Sequence, residues 1–145
     1  MLDQYQSFEN KLAYLQKDHI RQVKSALVFA TDAHTGQLRK SGLPYITHPI
    51  AVAEILATLK MDVKCIMAGI LHDVLEDTPF KYSDIEKRFD KEIADLVNGV
   101  TKIKKIPTKS RKEHQAESFR KMLMAICKDI RVLIIKLADR LHNMR

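Results

Sequence analysis

Several residue types are scarce in this chain of 145 residues, and each scarcity excludes a class of protein. The chain has no tryptophan and only four glycines and four prolines, which excludes collagen-like and low-complexity proteins. With so few turn-forming residues, a β-sandwich or β-barrel is also disfavoured. No apolar run approaches the ~20 residues that a membrane-spanning helix needs. The length suits one domain with one hydrophobic core, and we assign residues 1–145 to it.

The two cysteines are too few for a disulfide framework. Cys65 and Cys127 both lie in apolar stretches with helical spacing, which favours buried free thiols in a reducing compartment. The first residues lack the basic and apolar regions of a secretory signal. We therefore predict a cytoplasmic protein that has no membrane partner.

The chain is basic, with 25 Lys and Arg against 18 Asp and Glu and a formal net charge of +7. Such a charge favours anionic ligands, among them nucleotides, phosphates and nucleic acids. The densest positive stretch, residues 102–112, is interpreted either as a solvated loop or as a loop that faces phosphates. With few aromatic residues and no recognisable nucleic-acid-binding motif, we expect no nucleic-acid partner for this domain.

The spacing of apolar residues predicts an all-α fold of about six or seven helices. Asp62, Asp90 and Asp129 are expected to cap helices, and Ser83 with Glu86 has the spacing of a capping box. Residues 132–135 alone would also fit a buried strand, but the longer pattern favours a helix. The predicted helices span residues 8–33, 49–60, 63–75, a segment after 83, a segment after 90, a segment around 119–127, and 130–145.

Ionisable side chains crowd the end of an otherwise apolar predicted helix, in residues 71–78 (LHDVLEDT). His72 and Glu76 are four residues apart, as are Asp73 and Asp77, so each pair shares a helix face. The pattern fits an ordinary polar helix end equally well. Adjacent His and Asp can also hold a divalent cation through one nitrogen and one oxygen, provided that other residues complete the ligand set.

Two residues elsewhere are candidates for the missing ligands. His48 lies just before Pro49, where the backbone of a loop-to-helix corner is restricted and helical dihedrals are disfavoured. A histidine there is more often structural. Asp139 lies inside an apolar helix, where a carboxylate needs a partner or a metal ion because an unpaired buried charge is costly. An ion pair with Lys136 or Arg140 is the alternative.

The order of these residues resembles that of the HD phosphohydrolases. Residues 39–49 (RKSGLPYITHP), 71–78 and 136–145 (KLADRLHNMR) are similar to the hydrolase domain of the RelA/SpoT family, whose enzymes act on guanosine tetraphosphate and pentaphosphate, (p)ppGpp. Residues 99–102 (GVTK) and 115–122 (QAESFRKM) fit the same family. The resemblance covers the chain from about residue 20 and implies an HD-type helical bundle.

The resemblance implies a role for each matching residue. The metal ligands would be His48, His72, Asp73 and Asp139, usually for one Mn²⁺ ion. The catalytic acidic pair would be Glu76 and Asp77. The nucleotide contacts would be Arg39, Lys40, Ser41 and Asn143. Because all four ligands and the acidic pair are present, the chain resembles the hydrolysing members of the family.

The implied reaction is hydrolysis of the 3′-diphosphate of ppGpp or pppGpp, which gives pyrophosphate and GDP or GTP and degrades the alarmone of the stringent response. A divalent ion held by two imidazoles and two carboxylates keeps open positions for water and a phosphate oxygen. Mixed N/O ligation suits Mn²⁺, with Zn²⁺ or Fe²⁺ as alternatives and Mg²⁺ less suitable. The alternatives are an HD phosphohydrolase for another nucleotide, or a regulatory module that binds a nucleotide without turnover.

Other charged residues have less defined roles. Four lysines could attract an anionic substrate without individual assignments: Lys102, Lys104, Lys105 and Lys109. We expect His34 and His114 at the surface and His142 beside Asp139. The chain stops at Arg145 inside the last matching motif, so we expect a C-terminally incomplete hydrolase domain that further domains of the same polypeptide follow.

Overall fold

The computed structural model of the protein describes residues 2–104, 120 and 129–144. These residues form seven α-helices longer than one turn, one single-turn α-helix, one 3-10 helix and no β-sheet, which confirms the all-α prediction. No helix in these ranges is both long and apolar enough to span a bilayer. The helices are α1 (Leu2–Lys11), a 3-10 helix (Leu12–Tyr14), α2 (Lys17–Ala33), α3 (Thr47–Thr58), α4 (Val63–Leu71), α5 (Val74–Asp77), α6 (Tyr82–Arg88), α7 (Lys91–Lys104) and α8 (Arg131–Asn143).

Helix α4 is the centre of the fold, and α2, α3, α7 and α8 all pack against it. Every residue from Cys65 to Leu71 is buried, as expected for a helix that is apolar on all sides. Gly69 lets α3 approach closely, because a Cβ atom there would lie 2.5 Å from the side chain of Leu56. The C-terminal end of α4 therefore points polar side chains into the protein rather than into solvent.

Two predicted helices are interrupted. The predicted helix 8–33 is broken at Leu15 and Gln16, whose extended backbones separate α1 and the 3-10 helix from α2. Apolar spacing did not reveal this change of direction, because both segments bury their apolar faces in one core. The predicted helix 63–75 ends at Leu71, and just beyond it the ring of His72 hydrogen-bonds the carbonyl of Gly69, the acceptor that a continuous helix would use.

The predicted caps have mixed outcomes. Asp90 accepts from the Ile93 amide at 2.7 Å, which confirms this cap. Asp129 accepts from the Arg131 amide at 2.9 Å but lies one residue before Ile130, the N-cap residue of α8, so this cap is wrong by one residue. The box at Ser83 is wrong by two residues, since α6 begins at Tyr82 and the Asp84 carboxylate accepts from the amide of Lys81.

Other predictions about individual segments can also be compared with the structure. The strand alternative for residues 132–135 is wrong, since they lie within α8. Cys65 is a buried free thiol, and burial raises its pKa to about 12. Lys102 is exposed on α7. Some predictions concern side chains that the structure does not describe: those for Lys104, Lys105, Lys109, His114, Cys127 and most of the helix around 119–127.

The loop between α2 and α3 folds back on itself as a tight hairpin. The amide of Arg39 donates to the carbonyl of Leu43 at 2.8 Å, and the amide of Tyr45 donates to the carbonyl of Gln37 at 2.9 Å. Gly42 closes the turn with a φ of 89°, in the left-handed region that glycine adopts without steric cost. The hairpin leads directly into α3 and brings its tip to one side of the α3–α8 pair.

Candidate metal centre

Four side chains from three helical segments converge at the end of α4. His48 comes from the first turn of α3, His72 and Asp73 follow α4, and Asp139 comes from α8. One nitrogen or oxygen atom of each lies within 4.8 Å of the corresponding atoms of the other three. Each of the four residues is 3% exposed or less. Residues 91 positions apart in sequence therefore form one buried polar cluster.

His48 reaches this cluster from a helical backbone, so the prediction that it avoids helical dihedrals is wrong. Helix α3 begins one residue earlier, at Thr47, and Pro49 occupies its first turn. The first amides of a helix have no partner within that helix, so proline removes no hydrogen bond there. The first turn of α3 holds His48 in a fixed orientation toward α4 and α8.

The distances within the cluster suit a cation. Oδ1 of Asp139 lies 2.7 Å from Nε2 of His48 and 3.2 Å from Nε2 of His72. Oδ2 of Asp73 lies 3.0 Å from Nε2 of His72 and 3.8 Å from Nε2 of His48. Ligand atoms bound at about 2.1 Å around one ion are separated by roughly 3–4 Å. Both imidazoles and both carboxylates thus present one donor atom each to a common point.

The alternative of a simple ion pair accounts for only part of this cluster. Nζ of Lys136 lies 3.4 Å from Oδ2 of Asp139, while Oδ1 of the same carboxylate faces the two histidines. Two buried carboxylates in one cluster repel each other and are costly to desolvate. The donor set of two nitrogens and two oxygens fits a divalent cation, which would offset both costs.

Partners outside the cluster also orient the side chains of His72 and Asp73. Nδ1 of His72 lies 2.6 Å from the carbonyl oxygen of Gly69. A carbonyl only accepts, so the proton is assigned to Nδ1, and the Nε2 lone pair faces the cluster. The Tyr45 hydroxyl donates to Oδ2 of Asp73 at 2.7 Å. Burial, together with the nearby Asp73 and Asp77 carboxylates, raises the pKa of Tyr45 far above its usual range, so the hydroxyl remains a donor.

His48 has a different outer partner, the ring of His142. The two Nδ1 atoms are 2.7 Å apart, and Nη1 of Arg39 lies 3.4 Å from Nδ1 of His142. His142 was predicted beside Asp139, and the structure additionally brings it against His48. One signal for its inward position was present in the sequence, because His142 lies three residues after Asp139 and shares its helix face. No sequence signal indicated the role of Tyr45.

A cleft of about 970 Å³ opens onto the cluster. Its lining includes His48, Asp73 and Asp139 as well as side chains from the hairpin and from α8. All four residues predicted to contact a nucleotide line this cleft: Arg39, Lys40, Ser41 and Asn143. Nη2 of Arg39 lies 3.4 Å from Oδ1 of Asn143, which joins the hairpin to α8.

The predicted catalytic pair lies at the edge of this arrangement. Glu76 and Asp77 are exposed on the single-turn helix α5, and neither belongs to the described lining of the cleft. Asp77 is close enough to Tyr45 to raise the pKa of its hydroxyl, and Gln37 donates to its backbone carbonyl at 2.8 Å. Asp77 is thus linked through Tyr45 to the cluster of four buried side chains, while Glu76 faces solvent beside it.

The prediction that His34 is a surface residue is wrong. Its side chain is buried, with 3% exposure, because the hairpin folds back over the end of α2. Nδ1 of His34 lies 3.0 Å from Oε1 of Gln37, and its ring packs 4.8 Å from the ring of Tyr45. This packing could not be predicted from sequence, because it depends on how the hairpin returns over the end of α2.

Comparison with known proteins identifies the family. The HD domain family matches residues 26–145. The bifunctional (p)ppGpp synthase/hydrolase SpoT of Escherichia coli is 57% identical over 132 residues, which are 91% of this chain and 19% of that protein. The GTP pyrophosphokinase of Streptomyces coelicolor is 51% identical over 131 residues, 90% of this chain and 15% of that protein. The chain therefore spans about a fifth or less of the length of these curated relatives.

A solved structure is also similar. It is that of a metazoan ortholog of SpoT that hydrolyses ppGpp, with a TM-score of 0.66 and 32% identity, covering 85% of this chain and 68% of that one. The chain belongs to the HD domain family, and its relatives within it include SpoT-type proteins.

Proposed function

We propose that this chain is a metal-dependent hydrolase domain that removes the 3′-diphosphate of ppGpp and pppGpp. The observation that carries the proposal is the buried cluster of His48, His72, Asp73 and Asp139 at a cleft lined by Arg39 and Lys40. A volume of about 970 Å³ is large enough for a nucleotide. The names of the SpoT relative and of the similar solved structure support the same substrate.

The reaction consumes one water molecule. Its oxygen attacks the phosphorus that is bonded to the ribose 3′-oxygen, and the bond between that phosphorus and the 3′-oxygen breaks. One proton of the water ends on the 3′-oxygen, so the products are pyrophosphate and GDP from ppGpp, or GTP from pppGpp. A divalent cation, when bound, neutralises charge at phosphorus and lowers the pKa of water.

The side chains of this chain supply binding, orientation and proton transfer. Arg39 and Lys40 attract the anionic nucleotide, and Ser41 and Asn143 add polar contacts at the same cleft. Glu76 and Asp77 orient the attacking water, because their exposed carboxylates are acceptors close in sequence to the proposed metal ligands. One of the two carboxylates accepts a proton from the water and returns it to the 3′-oxygen as that oxygen leaves. The Tyr45 hydroxyl holds Asp73 in place and lies near Asp77, so it links the ligand set to the acidic pair.

We further propose Mn²⁺ as the ion. The cluster offers two imidazole nitrogens and two carboxylate oxygens and no thiolate. This mixture suits Mn²⁺ better than Mg²⁺, which prefers oxygen ligands and retains several waters. The placement of the domain at residues 1–145 of a longer polypeptide, with further domains after it, is part of the same proposal and agrees with the small share of each relative that is matched.

The test is pyrophosphate release from ppGpp with Mn²⁺ and with EDTA. We expect metal-dependent pyrophosphate release from the unaltered chain. In Asp73→Asn the rate of release should fall by at least about 100-fold, because asparagine keeps the shape of the aspartate side chain but not its charge. Asp32→Asn, an exposed aspartate on α2, is the matched control and should retain full activity. Release that survives EDTA, or an unaffected Asp73→Asn, would contradict the proposal.

Substrate identity needs a separate comparison. ATP, GTP and a nucleoside 3′-monophosphate should each react at least about tenfold more slowly than ppGpp, because only ppGpp and pppGpp carry the 3′-diphosphate. A faster reaction with another nucleotide would favour the alternative HD phosphohydrolase. Tight binding of ppGpp without turnover, in the presence of Mn²⁺, would favour the regulatory module.

A further inference from the structure

The two histidines of the cluster are held by different kinds of partner. Nδ1 of His72 pairs with the backbone carbonyl of Gly69, whereas Nδ1 of His48 pairs with the side chain of His142. The rings of His48 and His142 are 4.9 Å apart and inclined by 27°. With a contact of 2.7 Å between the nitrogens, this geometry is that of two rings meeting edge to edge in nearly one plane.

The direction of the hydrogen bond between the two rings follows from Arg39. A guanidinium has only donors, and Nη1 of Arg39 points at Nδ1 of His142 from 3.4 Å. Nδ1 of His142 is therefore the acceptor, so its own proton belongs on Nε2. His48 must then donate from Nδ1, so a neutral His48 ring has its lone pair on Nε2, where it can bind a cation together with Oδ1 of Asp139.

We propose that His142 is a positioning residue for the metal ligand His48, with Arg39 selecting the ring form of His142 that can act as acceptor. The proposal rests on the metal centre described under the proposed function. Outer partners of this kind keep a ligand histidine in the binding-competent tautomer, and their loss costs about 10–100-fold in metal affinity.

This assignment gives His142 a role that the packing of α8 alone does not require. The residue is half-buried and lines the cleft, so its ring is accessible from the cleft. The same ring contacts a ligand of the proposed ion and a residue proposed to bind the nucleotide. His48, His142 and Arg39 thus connect the proposed metal centre to the proposed nucleotide cleft through one continuous set of polar contacts.

The first test measures the dissociation constant of Mn²⁺ by calorimetry, for the unaltered chain and for variants that each carry one substitution. His142→Leu removes the acceptor, and we expect the dissociation constant to rise about 10–100-fold. His142→Asn puts an acceptor oxygen close to the original position of Nδ1, and we expect affinity within about threefold of the unaltered chain. His19→Asn, on α2 and away from the site, is the matched control and should change nothing.

The outcomes separate this proposal from the one on which it rests. Mn²⁺ binding by His142→Leu that equals that of the unaltered chain overturns the role of His142 and leaves the metal centre intact. Absence of Mn²⁺ binding by the unaltered chain overturns both. If Mn²⁺ binds equally weakly to His142→Leu and His142→Asn, the proposal is also overturned, because the hydrogen-bond acceptor at residue 142 would then not be the property that matters.

A second measurement needs no variant and therefore no assumption about folding. Long-range proton–nitrogen spectra of the chain at neutral pH report which ring nitrogen of His142 carries the proton. We expect a proton on Nε2 and none on Nδ1. A proton on Nδ1 of His142 would overturn the proposed direction of the hydrogen bond, whatever the metal affinities.

Discussion

Gln37 donates from Nε2 to the backbone carbonyl of Asp77 across 2.8 Å and so joins the hairpin to helix α5. Its other amide atom, Oε1, lies 3.0 Å from Nδ1 of the buried His34. Because the amide nitrogen donates to Asp77, the oxygen accepts from His34, and the orientation of the amide is held from both sides. The position of the proposed acidic pair therefore depends on a residue that touches neither the cluster nor the cleft.

Gln37→Glu is expected to lower turnover of ppGpp by roughly tenfold, the equivalent of one hydrogen bond of about 1.4 kcal/mol. Glutamate has the same shape as glutamine but cannot donate to the Asp77 carbonyl when it is ionised. The Mn²⁺ dissociation constant should remain unchanged, because Gln37 contacts no ligand. Gln22→Glu on the exposed face of α2 is the control, and turnover by Gln37→Glu that equals that of this control would contradict the prediction.

Tyr45→Phe is expected to weaken Mn²⁺ binding by about tenfold, because the Tyr45 hydroxyl donates to Oδ2 of Asp73 at 2.7 Å. The raised pKa of Tyr45 means that the donor persists across the neutral and mildly alkaline range, so the effect should not vary there with pH. Calorimetric titration with Mn²⁺ measures it.

The matched control for Tyr45→Phe is Tyr14→Phe. The Tyr14 hydroxyl also donates one hydrogen bond, to the carbonyl of Met61 at 2.6 Å, and burial raises its pKa to about 12. Both variants lose one such bond and should lose a similar amount of stability, about 1 kcal/mol. If both variants also lost Mn²⁺ affinity equally, the contact with Asp73 would have no particular role.

The sequence alone predicts that His72, Asp73 and Asp139 need polar partners, whereas their role with His48 as a set of metal ligands is implied by the family resemblance and stays a prediction. His72 and Asp73 interrupt an apolar stripe at the point where α4 leaves the core, and Asp139 is an isolated charge in an apolar helix. Polar groups in such positions need partners, and in the structure these groups are partners of one another. The end of α4 was misplaced because the apolar stripe continues to the buried Val74, which lies in α5.

The partners that orient the ligands could not be predicted in the same way. His48 and His142 are 94 positions apart, and Tyr45 and Asp73 are 28 apart. These contacts depend on how the hairpin and α8 lie across α3, which no local spacing records. The burial of His34 was missed for the same reason, since it results from the return of the hairpin over α2.

Binding of Mn²⁺ should raise the melting temperature of the chain, because the four ligands come together only in the folded state. At a free concentration of 100 times the dissociation constant, the expected stabilisation is about 2.7 kcal/mol. Thermal melts across a Mn²⁺ series measure it, and EDTA should reverse it. Asp139→Asn should melt at one temperature throughout the series, and a shift as large as that of the unaltered chain would contradict the assigned site.

Arg131 joins three elements at the opposite end of α8. Its Nη1 lies 2.7 Å from Oδ2 of Asp62, the residue before α4, and its Nη2 lies 2.8 Å from Oε2 of Glu92 in α7. It also pairs with Asp129, whose carboxylate accepts from the backbone amide of Arg131 as well. The hydrogen bonds from Arg131 hold the pKa of Asp129 below its usual range. The stability of this junction should therefore depend on pH.

Asp129→Asn should lower the free energy of unfolding by up to about 1 kcal/mol at pH 7, because asparagine can still accept from the α8 amide but loses the charge that pairs with Arg131.

A carboxylate whose folded pKa is lowered stabilises the fold above its unfolded pKa, about 3.9, and loses that contribution as pH falls through the folded pKa. The difference between the unaltered chain and Asp129→Asn should thus be constant from pH 7 to about 5 and shrink below 4. Urea denaturation of both chains over this range measures it, with Asp32→Asn as the exposed control. A difference that is unchanged at the acid end would mean that the lost charge is not its cause.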